Sequence, residues 1–454
     1  MKVAVLGAGV VGVASAYYLA QAGHEVVLVD REGEVAQGAT FANGGQLSAG
    51  HAKPWANPGT YRQILRGLGR RESPLAMRLR ADPAQWRWAL RFLGQSLPGP
   101  CRQNMADILR LGLYSREALA ALRAAEDISF DHSDAGILHY FDDQRALDQA
   151  AVDCATLVAG GCDARIVDAD GCVTIEPALR AIAPLLAGGL YVPGDESGDA
   201  RKFTSELADI CRARGVTFQS GCDVKHLVSD KSGQVSHAVV RDLPADGCRG
   251  ETRQTSQTSQ TGQATTRSLQ ADCFVLCMGA VTPLFTRKLG FNLPIYPLKG
   301  YSVTVPVRGQ VNGKANGENA PTVALTDDSF KIVFSRLGDR LRIAGTAELS
   351  GYDAGFDDKT SQARCHAILR RARARFPESA DFDKAEFWAG LRPATPGNVP
   401  LIGGTRYRNL YINSGHGTLG WTLGCGSGRM VADLVSGRTP EIDPTAFAPY
   451  CNAT

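Results

Sequence analysis

Val3–Asp30 constrains what this chain can fold into more than any other stretch. Val3–Leu6 is a short apolar run of the kind that forms a buried parallel strand. Gly7, Gly9 and Gly12 follow as G-x-G-x-x-G, and Val13, Tyr17 and Ala20 then recur at helical spacing. Gly23 stands where a helix C-cap belongs, and a second apolar run, Val26–Val29, ends in Asp30. In this frame Gly7 makes the tight turn, Gly9 lets a pyrophosphate approach the backbone, and Gly12 lets the helix pack on the strand. The helix N-terminus offers N–H groups and partial positive charge to that pyrophosphate. Asp30, 18 residues after Gly12, can bind both hydroxyls of an adenosine ribose and would repel a 2′-phosphate, which weighs against NADP. Two strands, a helix and a terminal acid turn a weak motif into a strong sign of a dinucleotide site.

The same residues admit other readings. Val3–Gly23 carries no charge over 21 residues, long enough for a membrane span, and Lys2 with Ala14-Ser15-Ala16 imitates a signal peptide. A glycine-broken core helix is the third. All three leave Gly7, Gly9, Gly12 and Asp30 in register by accident.

With 454 residues the chain can build two substantial domains or one large interleaved one. A net charge of +3 gives no global case for nucleic-acid binding, and no RNA-binding aromatic motif or basic heptad helix is present. The twelve cysteines are scattered with no C-x-x-C, which fits reduced, buried thiols and offers no paired spacing for a metal.

Along the chain, small and amide residues at Thr40–Ser48 suit a loop wrapped around a polar ligand. Tyr61–Leu93 holds eight arginines and two acids interleaved with Trp86, Trp88, Leu90 and Phe92, and Pro74 and Pro83 divide it into short helices. This pattern suits either a helix lying on an anionic membrane or a solvated pair packed on its own domain. Asp107–Ala125, Asp142–Gly160 and Thr204–Arg214 read as helices, and Ile128–Phe141, Gly215–Phe218, Asp223–Leu227, Ala238–Val240 and Cys273–Cys277 as strand regions. Gln254–Gln270, rich in Thr, Gln and Ser, reads as a floppy hairpin tip. Runs from Pro297 to Gly345 alternate like a half-buried antiparallel sheet. Tyr411–Asn413, the glycine loop Gly415–Thr422 and a helix Gly426–Ser436 repeat the strand–loop–helix device about 400 residues after the first.

These pieces, in this order, resemble the FAD-dependent amine and amino-acid oxidoreductases, the glycine and D-amino acid oxidase-like flavoproteins. Within them the nearest likeness is to the small-subunit type of bacterial D-amino acid dehydrogenase. The likeness rests on Val5–Ala16, Gln21–Val26, Ala42–Gln46, Tyr296–Ser302, Gly390–Pro393 and Gly415–Thr422, and spans nearly the whole chain. Gln254–Gln270 looks like an insertion, and Gly44 stands where the family more often has alanine. The resemblance implies an α/β (α+β overall) fold: a Rossmann-like FAD-binding domain with an inserted β-rich substrate domain. The corresponding segments are 1–60, 191–290 and 391–454 for FAD binding, with 61–190 a helical and substrate-domain segment and 291–390 the β-rich substrate domain.

It also implies FAD as cofactor. Val5, Leu6, Gly7, Ala8, Gly9, Val10, Val11, Gly12, Asp30 and Arg31 would hold the ADP half, with Val224 on the adenine side. Asn43, Gln46 and Ser48 would approach the isoalloxazine, Gly279 and Gly390 the cofactor backbone, and Gly415, His416, Gly417, Thr418, Leu419, Gly420, Trp421 and Thr422 would close over the ring. The implied reaction is oxidation of a D-amino acid, with hydride passing to flavin N5 and the imino acid hydrolysing to 2-oxo acid and ammonia. Arg392 would fork the substrate carboxylate with Tyr301 beside it, and His51, Lys299 and His416 would make polar contacts around amine or flavin. Electrons would go to a quinone or other acceptor; the alternative is an O2-using oxidase of glycine, sarcosine or a proline derivative on the same fold. A non-catalytic redox sensor would need only the ADP site, and an NAD-dependent dehydrogenase would not need the C-terminal glycine loop. The expected place is the cytoplasm, with a peripheral contact through 61–93 to the inner face of the cytoplasmic membrane as a variant.

Overall fold

The computed structural model describes residues 1–60, 75–78, 80–243, 265–308, 310–311, 314–315, 319–356 and 359–449. Among them two large sheets face each other. With strands numbered along the chain, the first runs in the order β21 (Leu401–Gly404), β22 (Leu410–Ser414), β13 (Cys273–Leu276), β1 (Lys2–Leu6), β2 (Glu25–Val29) and β9 (Thr217–Gln219). All neighbours are parallel except β21 with β22. In β1, Val3 and Val5 face one core and Ala4 and Leu6 the other, so both faces are dry and the strand carries no polar residue after Lys2.

Helix α1 (Val10–Gln21) follows β1 and is enclosed by its neighbours. Its neighbours are the C-terminal helix Gly420–Val435, the helix Ala200–Ala213, and strands of the first sheet. That enclosure explains the uncharged run at Val3–Gly23: the helix is apolar all round because it is packed all round. No helix among the described residues is long and apolar enough to cross a membrane. The other face of the sheet is covered by a hairpin layer, β10 (Cys222–Ser229), β11 (Val235–Asp242) and β12 (Thr266–Leu269). The floppy tip expected over 254–270 needs correction at its end, because Thr266–Leu269 pairs with β11. Residues 254–264 lie outside the described residues.

The second sheet runs β20 (Glu386–Ala394), β14 (Tyr296–Pro306), β19 (Arg340–Leu349), β18 (Ile332–Leu337), β17 (Ala324–Asp327), β5 (Ile137–Phe141), β7 (Gly188–Val192) and β6 (Arg165–Val167), with β4 (Leu75–Met77) pairing in parallel beside β19. It is antiparallel apart from β17 with β5 and β4 with β19. The half-buried sheet expected from alternation is instead buried on both faces through β14, β17 and most of β19. The helix Lys359–Arg375 packs Cys365, Ile368 and Ala372 onto Val303, Ile343 and Phe334, and the opposite face meets the first unit. Small ribbons complete the strands: β3 (Gln46–Leu47) with β8 (Glu196–Ser197), and β15 (Gln310–Val311) with β16 (Lys314–Ala315).

Within Tyr61–Leu93, residues 61–74 and 79 lie outside the described residues. The rest is one strand, β4, and one helix, α2 (Pro83–Gln95), capped by the Asp82 carboxylate accepting from Ala84 N. Trp88 and Phe92 are buried against Tyr296 and Leu298, while Trp86, Leu90 and Leu93 are exposed beside Arg87 and Arg91. Helix α3 (Pro98–Ala125) packs on the C-terminal helix, and α4 (Gln144–Ala159) lies against β7.

Candidate active site

A cavity of about 1850 Å³ runs between the two sheets. At one end Gly7 turns at φ +109°, and a Cβ there would lie 2.5 Å from the Cys277 carbonyl oxygen. Ala8, Gly9, Val10 and Val11 line the floor, where α1 begins. Thr40 Oγ1 takes the Val10 N–H at 3.1 Å, a cap that sequence spacing did not announce. Asp30 accepts from Ala8 N at 2.6 Å and Glu32 N at 2.9 Å while lining the cavity, and burial raises its pKa. Its carboxylate thus holds the turn and keeps lone pairs open to the cavity. Arg31 and Val224 also line this end. Val5, Leu6, Gly12 and Gly415 do not line the cavity: Val5 and Leu6 are strand core, and Gly12 sits against the Gly7 carbonyl.

Asp30→Ala is expected to fold and purify with little flavin, read as the ratio of visible to ultraviolet absorbance. Full flavin content would remove Asp30 from the ribose.

The middle of the cavity is walled by Asn43, Gln46 and Ser48 on one side and His416–Thr422 on the other, with Gly279 and Gly390 adjoining. Ser48 N donates to Thr422 Oγ1 at 3.1 Å, which ties the two loops together. Beneath them lies Asp195, fully buried, whose carboxylate accepts from Ser48 Oγ at 2.5 Å and from Ala49 N at 3.0 Å. No local pattern marked Asp195, since its partners stand about 145 residues away. At Gly44 an added Cβ would lie 2.9 Å from Val333 Cγ2, so the wall leaves no room for alanine there without adjustment.

At the other end stands Arg392, inside β20 rather than after it. Its guanidinium lies across Gly300, where a Cβ would come within 2.3 Å of Arg392 Cζ. Its Nη1 donates to Thr346 O at 3.0 Å, and no carboxylate lies within ion-pair distance of it among the described residues. Arg392 is enclosed by protein but opens onto the cavity; burial lowers its pKa to about 10, so it stays charged at neutral pH. A guanidinium held this way offers unused N–H donors to the cavity.

Two expected partners are corrected. The pairing of β14 with β19 shifts between Gly300 and Tyr301. Tyr301 lines the cavity, but its hydroxyl donates to Glu348 at 2.8 Å, and Glu348 also pairs with Arg78 and Arg364. The hydroxyl is therefore committed to a buried ion cluster, not to a substrate carboxylate. Lys299 does not line the cavity; its Nζ donates to Gly355 O.

His416 lines the cavity beside Arg392's strand, bridged to Ala394, and its Nε2 has no hydrogen-bond partner among the described residues. His51 stacks on His139 with ring centroids 5.4 Å apart, and both line the cavity. Arg392 reaches β19, while His139 is on β5, three strands on; at ordinary spacing that is roughly 14 Å. His139 went unnoticed because it sits in a strand, Ile137–Phe141, with every residue buried.

Burial lowers His51 to about 4 and His139 and His416 to about 3, with Lys331 adding to the first two and His51 to His139. Each regains its ordinary pKa on unfolding, so their contribution to stability is complete above about pH 6.5 and lost as pH falls. From pH 6.5 to 4.5 each costs about 2 kcal/mol. Asp195, raised to about 6 chiefly by burial, acts in the opposite sense over the same range. Denaturant midpoints are expected to fall steeply from pH 7 to pH 4.5, and a flat profile would contradict the buried neutral imidazoles.

A glycine turn with a buried acid at one end, and at the other a cation with no carboxylate partner among the described residues, fit a dinucleotide-dependent enzyme. The family model described as "FAD dependent oxidoreductase" matches residues 2–434, and the chain belongs to that family. FAD is its cofactor, and the cradle at Gly7–Val11 with Asp30 fits the ADP half of that group. The chain is 47% identical over 442 residues to the D-amino acid dehydrogenase of Dechloromonas aromatica (strain RCB), covering 97% of this chain and 98% of that one. It is also 47% identical over 443 residues to the D-amino acid dehydrogenase of Paramagnetospirillum magneticum (strain ATCC 700264 / AMB-1), covering 97% and 96%. In fold it is similar to the glycine oxidase from Geobacillus kaustophilus, with a TM-score of 0.68 at 21% identity and full coverage of both chains.

Proposed function

We propose that the chain oxidises D-amino acids of the D-alanine type, broadly in side chain, to the 2-oxo acid and ammonia, and passes the electrons to a quinone or another acceptor that is not oxygen. Arg392 carries the reading: a charged guanidinium, without a carboxylate partner among the described residues, lies on the cavity wall where an amino acid would dock. The names of the relatives at 47% identity support the substrate class. When bound, FAD supplies the electron chemistry by accepting a hydride at N5.

The chain's own part is positioning. Arg392 fixes the carboxylate in a two-pronged grip and thereby the direction of the Cα–H bond. Gly300 leaves the space that this grip needs. His416 is too weak a base to hold a proton at neutral pH, so its free Nε2 accepts a hydrogen bond from the substrate amine. Ser48 and Thr422, latched to each other, hold the two loops at the flavin's distance.

The same reading assigns 1–60, 191–290 and 391–454 to FAD binding, with 61–190 and 291–390 on the substrate side. It also keeps a peripheral contact with an anionic membrane through 61–93, which the exposed Trp86, Leu90 and Leu93 of α2 favour. Release of the protein from membranes by high salt is expected; a protein found only in the soluble fraction at low salt would count against the contact.

Anaerobic incubation with D-alanine and a short-chain ubiquinone is expected to yield pyruvate and ammonia in equal amounts. L-alanine is expected to yield neither. Equal turnover of both isomers would overturn the stereochemical assignment.

A further inference from the structure

Beyond the flavin and Arg392, the cavity has a lobe that the reaction on the amino acid leaves unused. Its inner wall carries the stacked His51 and His139. From there it runs outward between α3, α4 and the 51–60 loop, along Met105, Phe141, Ala150, Leu157 and Leu190. At the mouth Lys53 bridges to Asp153 at 2.6 Å, from the loop to α4. Val152 lines the mouth and is 62% exposed, and Leu97, 60% exposed, directly precedes the mouth residue Pro98. The inner stretch of the lobe is apolar and its mouth mixes Val152 with Lys53, Arg102, Asp143, Gln149 and Asp153, an amphipathic passage that suits a lipid-soluble molecule with a polar head group.

The inner end carries the imidazole pair with Lys331 and Asp328 facing it. His139 is 6% exposed, and its Nε2 has no hydrogen-bond partner among the described residues. An unpaired imidazole nitrogen at that depth costs stability unless something in the lobe engages it. The groups facing the pair are Lys331 and Asp328, from the turn between β17 and β18. Arg392 stands roughly 14 Å off, by the strand count across the sheet.

We infer that this lobe is the binding site of the electron acceptor, a quinone, whose ring carbonyl is hydrogen-bonded by the His51–His139 pair. The inference rests on the function proposed above and assigns that function's second substrate a place. The redox balance closes between the two substrates. The amino acid loses a hydride from Cα and a proton from nitrogen, becoming the imino acid. The quinone gains the equivalent electron pair and two protons, and its two C=O bonds become C–OH. The amino acid and the quinone thus bind at different ends of one cavity.

The test uses the holoenzyme and the double variant Ala146→Trp/Val152→Trp, two partly or well exposed positions that line the mouth. Steady-state reduction of a short-chain ubiquinone, and its binding to the oxidised enzyme by calorimetry, are compared with the rate of anaerobic flavin bleaching by D-alanine. The expected result is a loss of about tenfold or more in kcat/KM for the quinone and in its affinity, with the bleaching rate within about twofold of the parent. His139→Leu, which removes one hydrogen bond, is expected to weaken quinone binding by about tenfold with bleaching again unchanged. Bleaching slowed as much as quinone reduction would make the lobe the amino acid's own access route. Quinone binding unchanged in both variants would place the acceptor elsewhere. Either outcome overturns the inference. A parent enzyme that D-alanine does not bleach is a failure of the proposed function instead, and the quinone titration still reads the lobe on its own.

Discussion

Arg392→Ala is expected to raise the KM for D-alanine by about two orders of magnitude while the protein still purifies yellow. The size follows from what the side chain does. A carboxylate gripped by a guanidinium gains charge-assisted hydrogen bonds worth roughly 1.5–3 kcal/mol each, about ten- to a hundredfold in binding. No carboxylate near Arg392 among the described residues compensates for its loss, and its one hydrogen bond to the protein is to Thr346 O. The flavin should stay, because Arg392 and the Gly7–Asp30 cradle stand at opposite ends of the cavity. Arg392→Lys keeps the charge but loses the fork, and is expected to fall between the two. Steady-state kinetics with the flavin-to-protein ratio settle it; an unchanged KM removes Arg392 from the substrate.

Gly12→Ala is expected to abolish folding of the flavin-binding unit. Its Cβ would lie 1.8 Å from the Gly7 carbonyl oxygen and 2.9 Å from the Gly7 carbonyl carbon. Both are backbone atoms at the turn between β1 and α1, so relief requires moving the helix off the sheet. Overpacking a well-ordered interior costs about 1–3 kcal/mol when side chains can yield, and backbone cannot yield as they do. Insoluble or flavin-free protein with a lowered melting temperature is the predicted result. Gly9→Ala is the control: its Cβ would meet only Thr40 Oγ1 at 3.4 Å. That variant should fold and lose affinity only through its closer approach to the pyrophosphate. Equal behaviour of the two would separate the packing role from the spacing that suggested it.

What the sequence disclosed follows from how local each determinant is. The opening β1–α1–β2 unit was legible because its reasons lie within thirty residues: two dry strand faces, glycines at fixed offsets, and an acid at the second strand's end. The antiparallel strands from Tyr296 to Leu349 were legible as strands. Their two-sided burial was not, because the covering helix Lys359–Arg375 and the opposite unit are elsewhere in the chain. Arg392, singled out through the motif that holds it, does line the cavity, whereas the Tyr301 hydroxyl turns away to Glu348. The register shift after Gly300 and the distant Glu348 decide where its hydroxyl goes. Lys299 turns away from the cavity because its Nζ donates to Gly355 O, from a loop 56 residues on. Leu75–Met77 took a strand's place because β19, some 270 residues later, offered a free edge. Asp195 and His139 were silent because each depends on a partner in another segment: the Ser48 loop for one and His51 for the other.

The central claim, a flavin reduced by a D-amino acid held on Arg392, is tested most directly by the anaerobic visible spectrum of the purified protein before and after D-alanine, with L-alanine as control. The account predicts yellow absorbance that D-alanine bleaches and L-alanine does not, and that returns slowly on readmitting air and quickly on adding quinone. A yellow protein indifferent to D-alanine and to other D-amino acids would contradict it. Bleaching by glycine, sarcosine or hydroxyproline, with rapid recovery in air, would replace it with an oxidase on the same fold.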